Sequence, residues 1–259
     1  MREPAPQGVD VTTANVARMY DYYLGGKDNF AADRQAADKI LAVFPDTPVA
    51  ARANRDFMRR AVRHLSGAGI TQFLDIGSGL PTQGNVHEVA PSARVTYVDY
   101  DPMVLSHAQA LLGGAPDVSV IQADLRRPEE VLGHPDINLD LSQPVALLLV
   151  AVLHFVPDQT GPYDIVARFR DALAPGSHVV ISHLTTEGVP EEFVRAGREA
   201  YQQATAPIVP RSRADIRRFF DGLELIDPGL TRIAEWRPDD PNTPHSHGFA
   251  GVGRKTHAA

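Results

Sequence analysis

The sequence contains no cysteine among its 259 residues. That excludes a disulfide framework, a cysteine-ligated zinc site and a thiol nucleophile. Lysine is scarce too. Of 25 basic residues only Lys27, Lys39 and Lys255 are lysine, and the rest are arginine. With abundant Ala, Gly and Pro, this is the pattern of GC-rich bacterial coding. No long apolar run is present. The longest, residues 145–153, is half of the roughly 18 residues that a bilayer span requires. Residues 1–10 are polar and proline-containing, with no apolar signal core, so a cytoplasmic protein is expected. Positive charge is outweighed, 25 basic against 32 acidic residues, for a net charge of −7. A basic surface for nucleic acid or anionic membrane is therefore not expected. What remains, 43% hydrophobic and 22% charged residues, is ordinary for a globular enzyme. At about 100–200 residues per domain the chain makes one large domain or two small ones.

Two textures follow one another along the chain. Residues 1–66 read as helical. Val16, Met19, Tyr20 and Tyr23 recur at i, i+3, i+4 and i+7, one apolar helix face. Thr12 or Thr13 can cap that helix and Gly25-Gly26 can end it. A second helix starts at Asp28 or Asn29, puts Ala37, Ile40, Leu41 and Phe44 on one face, and is broken by Pro45 and Pro48. A third covers about 50–65, with Met58, Ala61, Val62 and Leu65 on its apolar face. Asn54 falls on that face, while Arg52, Arg59 and Arg63 fall off it. From residue 72, short apolar runs at 72–76, 93–99, 118–122, 145–151 and 178–182 alternate with helical stretches. Such alternation predicts a parallel sheet covered on both faces. Beyond it come a helix over 191–204, a loop over 207–213 and a helix over 214–220. Two last strand candidates lie at 223–227, extending toward Trp236, and at 248–254. A hairpin-like return through 237–247 would set the last strand antiparallel at the sheet edge. The expected fold is α/β: a Rossmann-like, seven-stranded, mostly parallel sheet with helices on both faces, the last strand antiparallel, and an N-terminal helical cap. Residues 1–66 form the cap and 67–259 the core. Within the core, 185–213 follows the fifth strand and reads as a pocket wall or lid carrying Phe193, Tyr201 and Pro207.

The strongest chemical signal is the run Phe73-Leu-Asp-Ile-Gly-Ser-Gly-Leu-Pro81. A strand enters a tight loop in which Gly77 and Gly79 allow a sharp turn and close approach of a ligand. The helix start that follows offers free N–H groups. A nicotinamide site wants G-x-G-x-x-G at this point, and the third glycine position here is Thr82. Asp75, two residues before the first glycine, can receive the amino group of an amino-acid ligand and would repel a pyrophosphate. Asp99 ends the second apolar run, where a carboxylate can accept both hydroxyls of a ribose. Asp124 ends the third, where it can accept from an adenine amine while Leu125 offers its backbone N–H to the ring. Three acids ending consecutive strands form a line along a sheet's carboxyl edge, the place where open α/β sheets bind ligands. Each Asp taken alone is equally a helix N-cap.

Asp75-Ile-Gly-Ser-Gly79, Asp99 and Gln122-Ala-Asp124 resemble the sites of class I S-adenosylmethionine-dependent methyltransferases. Arg18-Met-Tyr-Asp-Tyr-Tyr-Leu-Gly-Gly-Lys-Asp-Asn-Phe30, with Asn54-Arg55 and residues 77–82, resembles an actinobacterial S-adenosyl methyltransferase family first catalogued as a domain of unknown function. The resemblance covers nearly the whole chain. Pro81 departs from the broader class, many of whose members carry a third glycine there. The resemblance implies S-adenosyl-L-methionine as cofactor. It assigns Asp75, Gly77, Ser78 and Gly79 to the methionine part, Asp99 to the ribose with Tyr100 and Asp101 beside it, and Asp124 and Leu125 to the adenine. It puts Ala151 under the sulfonium. Class I enzymes often close an N-terminal helix over the cofactor, which would make Tyr20 a contact rather than a core aromatic. Asn54 would meet the cofactor or the turn at 25–29, or else bond a neighbouring backbone group.

Methyl transfer from a sulfonium is an in-line displacement, so alignment supplies much of the catalysis. A base is needed only where the acceptor must lose a proton. No Asn-Pro-Pro-Tyr motif of the kind found in amine-modifying nucleic-acid enzymes follows the fourth strand. The segment Ala151-Val-Leu-His-Phe-Val-Pro-Asp158 instead resembles small-molecule methyltransferases. His154 and His183 follow strand ends and are the candidate bases, with structural histidines as the alternative. His245 and His247 flank Ser246, but no matching ligands accompany them and no metal is expected. The reading is a methyltransferase acting on a small molecule, without nucleic-acid or membrane partners. A non-catalytic S-adenosylmethionine-binding module and, less favoured, a nicotinamide-dependent oxidoreductase are the alternatives.

Overall fold

The first, second, fourth and fifth apolar runs become strands because they are buried on both sides, whereas the third run forms a half-buried edge strand. Along the fourth run Leu147 and Leu149 enter one hydrophobic cluster while Ala146 and Leu148 enter another, the two-residue alternation of a strand between two covered faces. The computed structural model describes residues 9–81, 84–112, 115–201, 204–240 and 247–256. Three helices come first, α1 (Val16–Leu24), α2 (Ala31–Val43) and α3 (Thr47–Gly67). Then β1 (Gln72–Ile76), α4 (Val86–Val89), β2 (Arg94–Asp99), α5 (Pro102–Leu112), β3 (Val118–Gln122), α6 (Pro128–Leu132), β4 (Ala146–Val150), α7 (Pro162–Ala172) and β5 (His178–Leu184) alternate. They are followed by α8 (Glu191–Tyr201), α9 (Arg213–Arg218), β6 (Glu224–Leu225), β7 (Thr231–Arg232) and β8 (Gly248–Arg254).

The strand order is β3-β2-β1-β4-β5-β8-β6, with β7 also pairing β8. β1 to β5 are mutually parallel. β8 runs antiparallel to β5, β6 and β7. The chain winds outward from β1 to β3, then crosses to β4 on the other side of β1. That reversal opens a crevice at the carboxyl ends of β1 and β4. One sheet face is covered by α3, through Phe57, Met58, Ala61, Val62 and Leu65 against Phe73, Val95 and Ala146. The other is covered by α7 and α9, through Ile165, Phe169 and Ile216 against Leu147 and Val179. α1, α2 and α8 share a third cluster around Met19, Tyr23, Ile40 and Tyr201. No helix among the described residues is long and apolar enough to cross a membrane.

Several boundaries differ from the sequence expectation. The last strand is antiparallel but interior, because β8 pairs with all seven residues of β5 and the short β6 and β7 lie outside it. The strand expected at 223–227 with its extension is two pieces of two residues each, separated by Pro228 and Gly229. Proline has no N–H for the ladder. α1 is capped by Asn15, whose side chain accepts from the Ala17 and Arg18 N–H groups. Thr12 and Thr13 instead close a turn on Asp10. α2 starts at Ala31, with the Phe30 N–H donating to Asp33. α3 starts at Thr47, so Pro48 sits in its first turn, where a missing N–H goes unnoticed.

The long N-terminal motif folds back on itself. The buried Asp33 carboxylate accepts from the Arg18 guanidinium at 2.8 Å, the Asn15 N–H at 2.8 Å and the Phe30 N–H at 2.7 Å. Asp21 accepts from the Asp28 N–H and the Asn29 side chain, both at 2.9 Å. These two carboxylates set the angle at which α1 enters α2, and with it the wall that α1 presents to the crevice.

Candidate functional site

A cleft occupies the crevice. β1 and the loop after it contribute Asp75, Gly77, Ser78 and Gly79. The end of β2 contributes Asp99 and Tyr100, the end of β3 Asp124 and Leu125, and the end of β4 Ala151. Tyr20 comes from α1 and Asn54 from α3. Of the residues expected to bind, Asp101 is the one that does not line it. Its carboxylate accepts from the Met103 N–H at 2.7 Å, capping α5, and its own N–H donates to Asp99 at 3.0 Å. Asp101, expected beside the ribose, is instead a helix cap.

The two loop glycines have different reasons. Both have positive φ, 70° for Gly77 and 67° for Gly79. A side chain at Gly77 would run into Val152, whereas one at Gly79 would meet nothing within 4 Å. Packing requires the first glycine, and the second leaves open space for a ligand against the main chain. Thr82 lies outside the described residues.

Asp99 accepts from the Gly79 N–H and the Asp101 N–H, both at 3.0 Å. A carboxylate has about four lone-pair sites, so acceptor capacity remains. Burial raises its pKa, and those backbone donors partly offset the rise. Asp75 is 7% exposed, and while its backbone is paired within the sheet its carboxylate makes no hydrogen bond to any described residue. Burial pushes its carboxyl up to about 7 despite the opposing charge of Arg55, which also lines the cleft. Asp124 is different. Arg126 grips its carboxylate through Nε at 2.8 Å and Nη2 at 2.5 Å. Burial raises the Asp124 pKa, but the hydrogen bonds and charge of Arg126 outweigh it and hold the group below the usual carboxylate range.

A buried polar relay ties four elements together at the cleft floor. Ala151 has a left-handed φ of 55°, a strained conformation for a residue with a side chain. Its N–H donates to Ser182 Oγ at 2.9 Å, and Ser182 Oγ donates to Asn54 Oδ1 at 2.5 Å. Asn54 Nδ2 donates to the Tyr20 hydroxyl at 2.9 Å, which donates to the Ala51 carbonyl at 3.0 Å. Asn54 thus partners side chains rather than the turn at 25–29. Ser182 was not singled out by the sequence reading. The signal available was a lone hydroxyl inside the apolar run of β5. Arg55, Asp21 and Phe155 lie inside the resembling segments without a signal of their own, and Thr205 carries none; all four line the cleft.

The two candidate bases lie elsewhere. Neither His154 nor His183 lines the cleft. His183 is 1% exposed. Its Nε2 faces Arg211 Nη1 at 2.8 Å and its Nδ1 faces the Leu184 carbonyl at 2.6 Å. An arginine only donates, so Nε2 accepts and Nδ1 carries the proton. Burial and then the charge of Arg211 lower the His183 pKa to about 3, the Leu184 carbonyl opposing them. His154 is also buried, and its Nδ1 has no partner among the described residues. Burial, then His183 and Arg211, lower its pKa well below the usual histidine value. Arg211, 4% exposed, also donates to the Leu153 and Val156 carbonyls and pairs with Asp158 at 2.6 Å. It holds the loop after β4. No cluster of three or more potential metal ligands exists among the described residues, and His245 lies outside them.

Comparison with known proteins bears on this geometry. The chain matches the family model described as S-adenosyl methyltransferase over residues 2–256. A candidate methyltransferase from Thermobifida fusca YX is 43% identical and superposes with a TM-score of 0.91, covering 97% of this chain and 98% of that one. A DUF574 family protein from Streptomyces avermitilis MA-4680 is 41% identical with a TM-score of 0.89, over 95% of this chain and 99% of the other. The N-methyltransferase NodS of Bradyrhizobium japonicum WM9, in complex with S-adenosyl-L-homocysteine, shares the fold at 14% identity and a TM-score of 0.51, over 92% and 98% of the two chains. No curated protein matches.

Proposed function

This chain belongs to the S-adenosyl methyltransferase family, and from that premise we propose that it methylates a small-molecule acceptor, with the cofactor held in the cleft of Asp75, Asp99 and Asp124. One observation carries the assignment of the cleft. The Asp75 carboxylate has no hydrogen bond to any described residue, and Asp75, 7% exposed, lines the cleft together with Gly79. Buried charges require a partner, and the ammonium of the cofactor's methionine part is one of matching sign and size. Arg55, in the same cleft, suits the carboxylate of that part. Asp99 offers its spare lone pairs to the ribose hydroxyls. Asp124 and Leu125 face the adenine, with Arg126 sharing the Asp124 carboxylate. Tyr20, Asn54 and Ala151, joined through Ser182, form the floor beneath the sulfonium.

When bound, the cofactor supplies an electrophilic methyl group that an acceptor lone pair can take in line. The chain's part is to align the two and exclude water. Neither histidine is placed to take a proton from the acceptor, so the proposed mechanism uses none, and both serve with Arg211 to position the loop after β4. Residues 1–66 cap the cleft and 185–213 act as the lid. The lid reading is supported by Thr205 and Ala206, which line the cleft, and by the Tyr100 hydroxyl, which donates to Thr205 Oγ1 at 3.2 Å. The net charge of −7 supports a small acceptor over a nucleic acid or membrane surface.

The test is transfer of label. The protein is incubated with methyl-labelled S-adenosylmethionine and a bacterial extract split into low-molecular-mass, protein and nucleic-acid fractions. Label is expected in the low-molecular-mass fraction, with stoichiometric release of S-adenosylhomocysteine. Label confined to protein or nucleic acid would contradict the small-molecule reading. Binding without release would make the chain a non-catalytic module.

A further inference from the structure

A second cavity of about 350 Å³ lies beside the cleft, between the α2–α3 turn and α8. It falls in the range of about 300–1,000 Å³ typical of small-molecule sites. Its position is fixed by two elements that serve both spaces. On α3, Thr47 and Ala50 line the second cavity while Asn54, Arg55 and Met58 line the cleft. Ala50 and Asn54 are one helical turn apart, about 6 Å along the axis. On β5, Ser182 holds the Ala151 N–H at the cleft floor, and Leu184 and then Thr185 line the second cavity. A wall of aromatic rings divides the two. Phe155 lines the cleft, and its ring packs at 5.8 Å on that of Tyr201, which lines the second cavity.

The lining sorts by depth. The interior is apolar, with Ile40, Phe44, Leu184, Val194 and Ile208 among its residues, and the Phe44 ring lies 6.1 Å from that of Phe193. The charged residues that line it, Asp46 and Arg198, are exposed and of opposite sign, so they sit at the mouth and leave the interior uncharged. Phe193, 40% exposed, is a large apolar side chain left in solvent at the same mouth. The polar group carried by the dividing wall is the Tyr201 hydroxyl. It lies 3.5 Å from the Tyr23 hydroxyl, at the outer limit of a hydrogen bond, so capacity for a better partner remains. Burial raises the pKa of both phenols, so they stay protonated and can donate.

We propose that this second cavity is the acceptor pocket, and that its ligand is an uncharged small molecule with an apolar, ring-sized body and one hydroxyl or amine directed at Tyr201. The inference rests on the methyl-transfer reading, since it places the acceptor one helical turn from the cofactor. The Phe155–Tyr201 wall is then the gate through which the reacting atom reaches the floor at Ala151. A charged molecule of the same size would have to leave water for an interior without a counter-charge.

The test uses 2-naphthol as the probe, followed by its fluorescence on the full chain saturated with S-adenosylhomocysteine, and naphthalene-2-sulfonate as the charged control. Ala50→Phe and Val194→Phe fill the cavity from opposite walls. Saturable one-to-one binding of 2-naphthol is expected, weakened about tenfold or more by each variant, with sulfonate binding at least about tenfold weaker than naphthol. S-adenosylhomocysteine affinity, measured by calorimetry, should stay within about twofold in the variants, which also shows that they are folded. Absence of naphthol binding, binding untouched by both variants, or, in a separate titration of the cofactor-free chain loaded with naphthol, displacement of naphthol by S-adenosylhomocysteine would overturn the proposal. Loss of S-adenosylhomocysteine binding in the native chain with naphthol binding intact would instead strike the cofactor reading and leave the pocket standing.

Discussion

Asp99→Ala is expected to weaken S-adenosylhomocysteine binding by about 100-fold or more. Two ribose hydroxyls donating to a carboxylate are worth roughly 1.5–3 kcal/mol each, and about 1.4 kcal/mol is a factor of ten. The loss has a second source. Asp99 also receives the Gly79 and Asp101 N–H groups, so its removal frees the glycine loop that shapes the cleft. Asp99→Asn separates the two effects. The amide oxygen can keep one backbone donor and hold the loop, while the charge and half the acceptor capacity are gone. Affinity intermediate between wild type and alanine is expected. Calorimetric affinities unchanged in Asp99→Ala would remove the ribose assignment.

The second large effect is on stability. Arg18→Ala leaves the Asp33 carboxylate, which has no exposure, without its guanidinium. Breaking a buried ion pair from one side costs about 3–5 kcal/mol. The Asn15 and Phe30 N–H groups still face Asp33, so the lower end of that range is expected. The urea midpoint should fall accordingly, with the slope unchanged. Arg18→Met, which keeps the bulk but not the charge, should recover little, because the carboxylate is the group left uncompensated. A midpoint within error of wild type would show that the N-terminal motif is not held by this pair. The motif was readable in the sequence as a string, but its purpose was not. The sequence offers Arg18, Asp21 and Asp33 as three charges among many, and only the return of α2 onto α1 buries them together.

The same distinction runs through the rest of the molecule. The strands β1, β2, β4 and β5 were legible because burial on both faces demands apolar runs, the edge strand β3 because its apolar residues alternate, and the residues that end them were legible because the topology puts consecutive carboxyl ends on one edge. The insertion of β8 inside the sheet was not legible, since strand order is set by packing between distant segments. Pro228 marked the interruption between β6 and β7, but an apolar run with an extension reads equally well as one strand. His183 is the clearest case at the site. Its position after a strand end suggested a base, while its actual partner, Arg211, comes from a loop 28 residues on. Nothing local announces that an arginine will be buried there. Asn54 was legible as a polar residue on an apolar face, and Ser182, its partner on β5, was not, because one hydroxyl in a buried strand carries no periodic signal.

The reading turns on the Asp75 carboxylate, which has no hydrogen bond to any described residue, receiving the cofactor's ammonium. Its pKa in the free chain is raised to about 7 by burial. A raised carboxylate pKa means that Asp75 is protonated below about pH 7 and must lose that proton to pair with the ammonium, so binding is opposed as pH falls. The direct measurement is calorimetric titration with S-adenosylhomocysteine across about pH 6 to 8, on the wild-type chain and Asp75→Asn, with NADH as the control ligand. The account predicts one-to-one binding of S-adenosylhomocysteine and none of NADH, with affinity rising about tenfold from pH 6 to a plateau above 7, and a weak, flat profile in Asp75→Asn. Equal affinity at every pH in both proteins, or binding of NADH in place of S-adenosylhomocysteine, would contradict it.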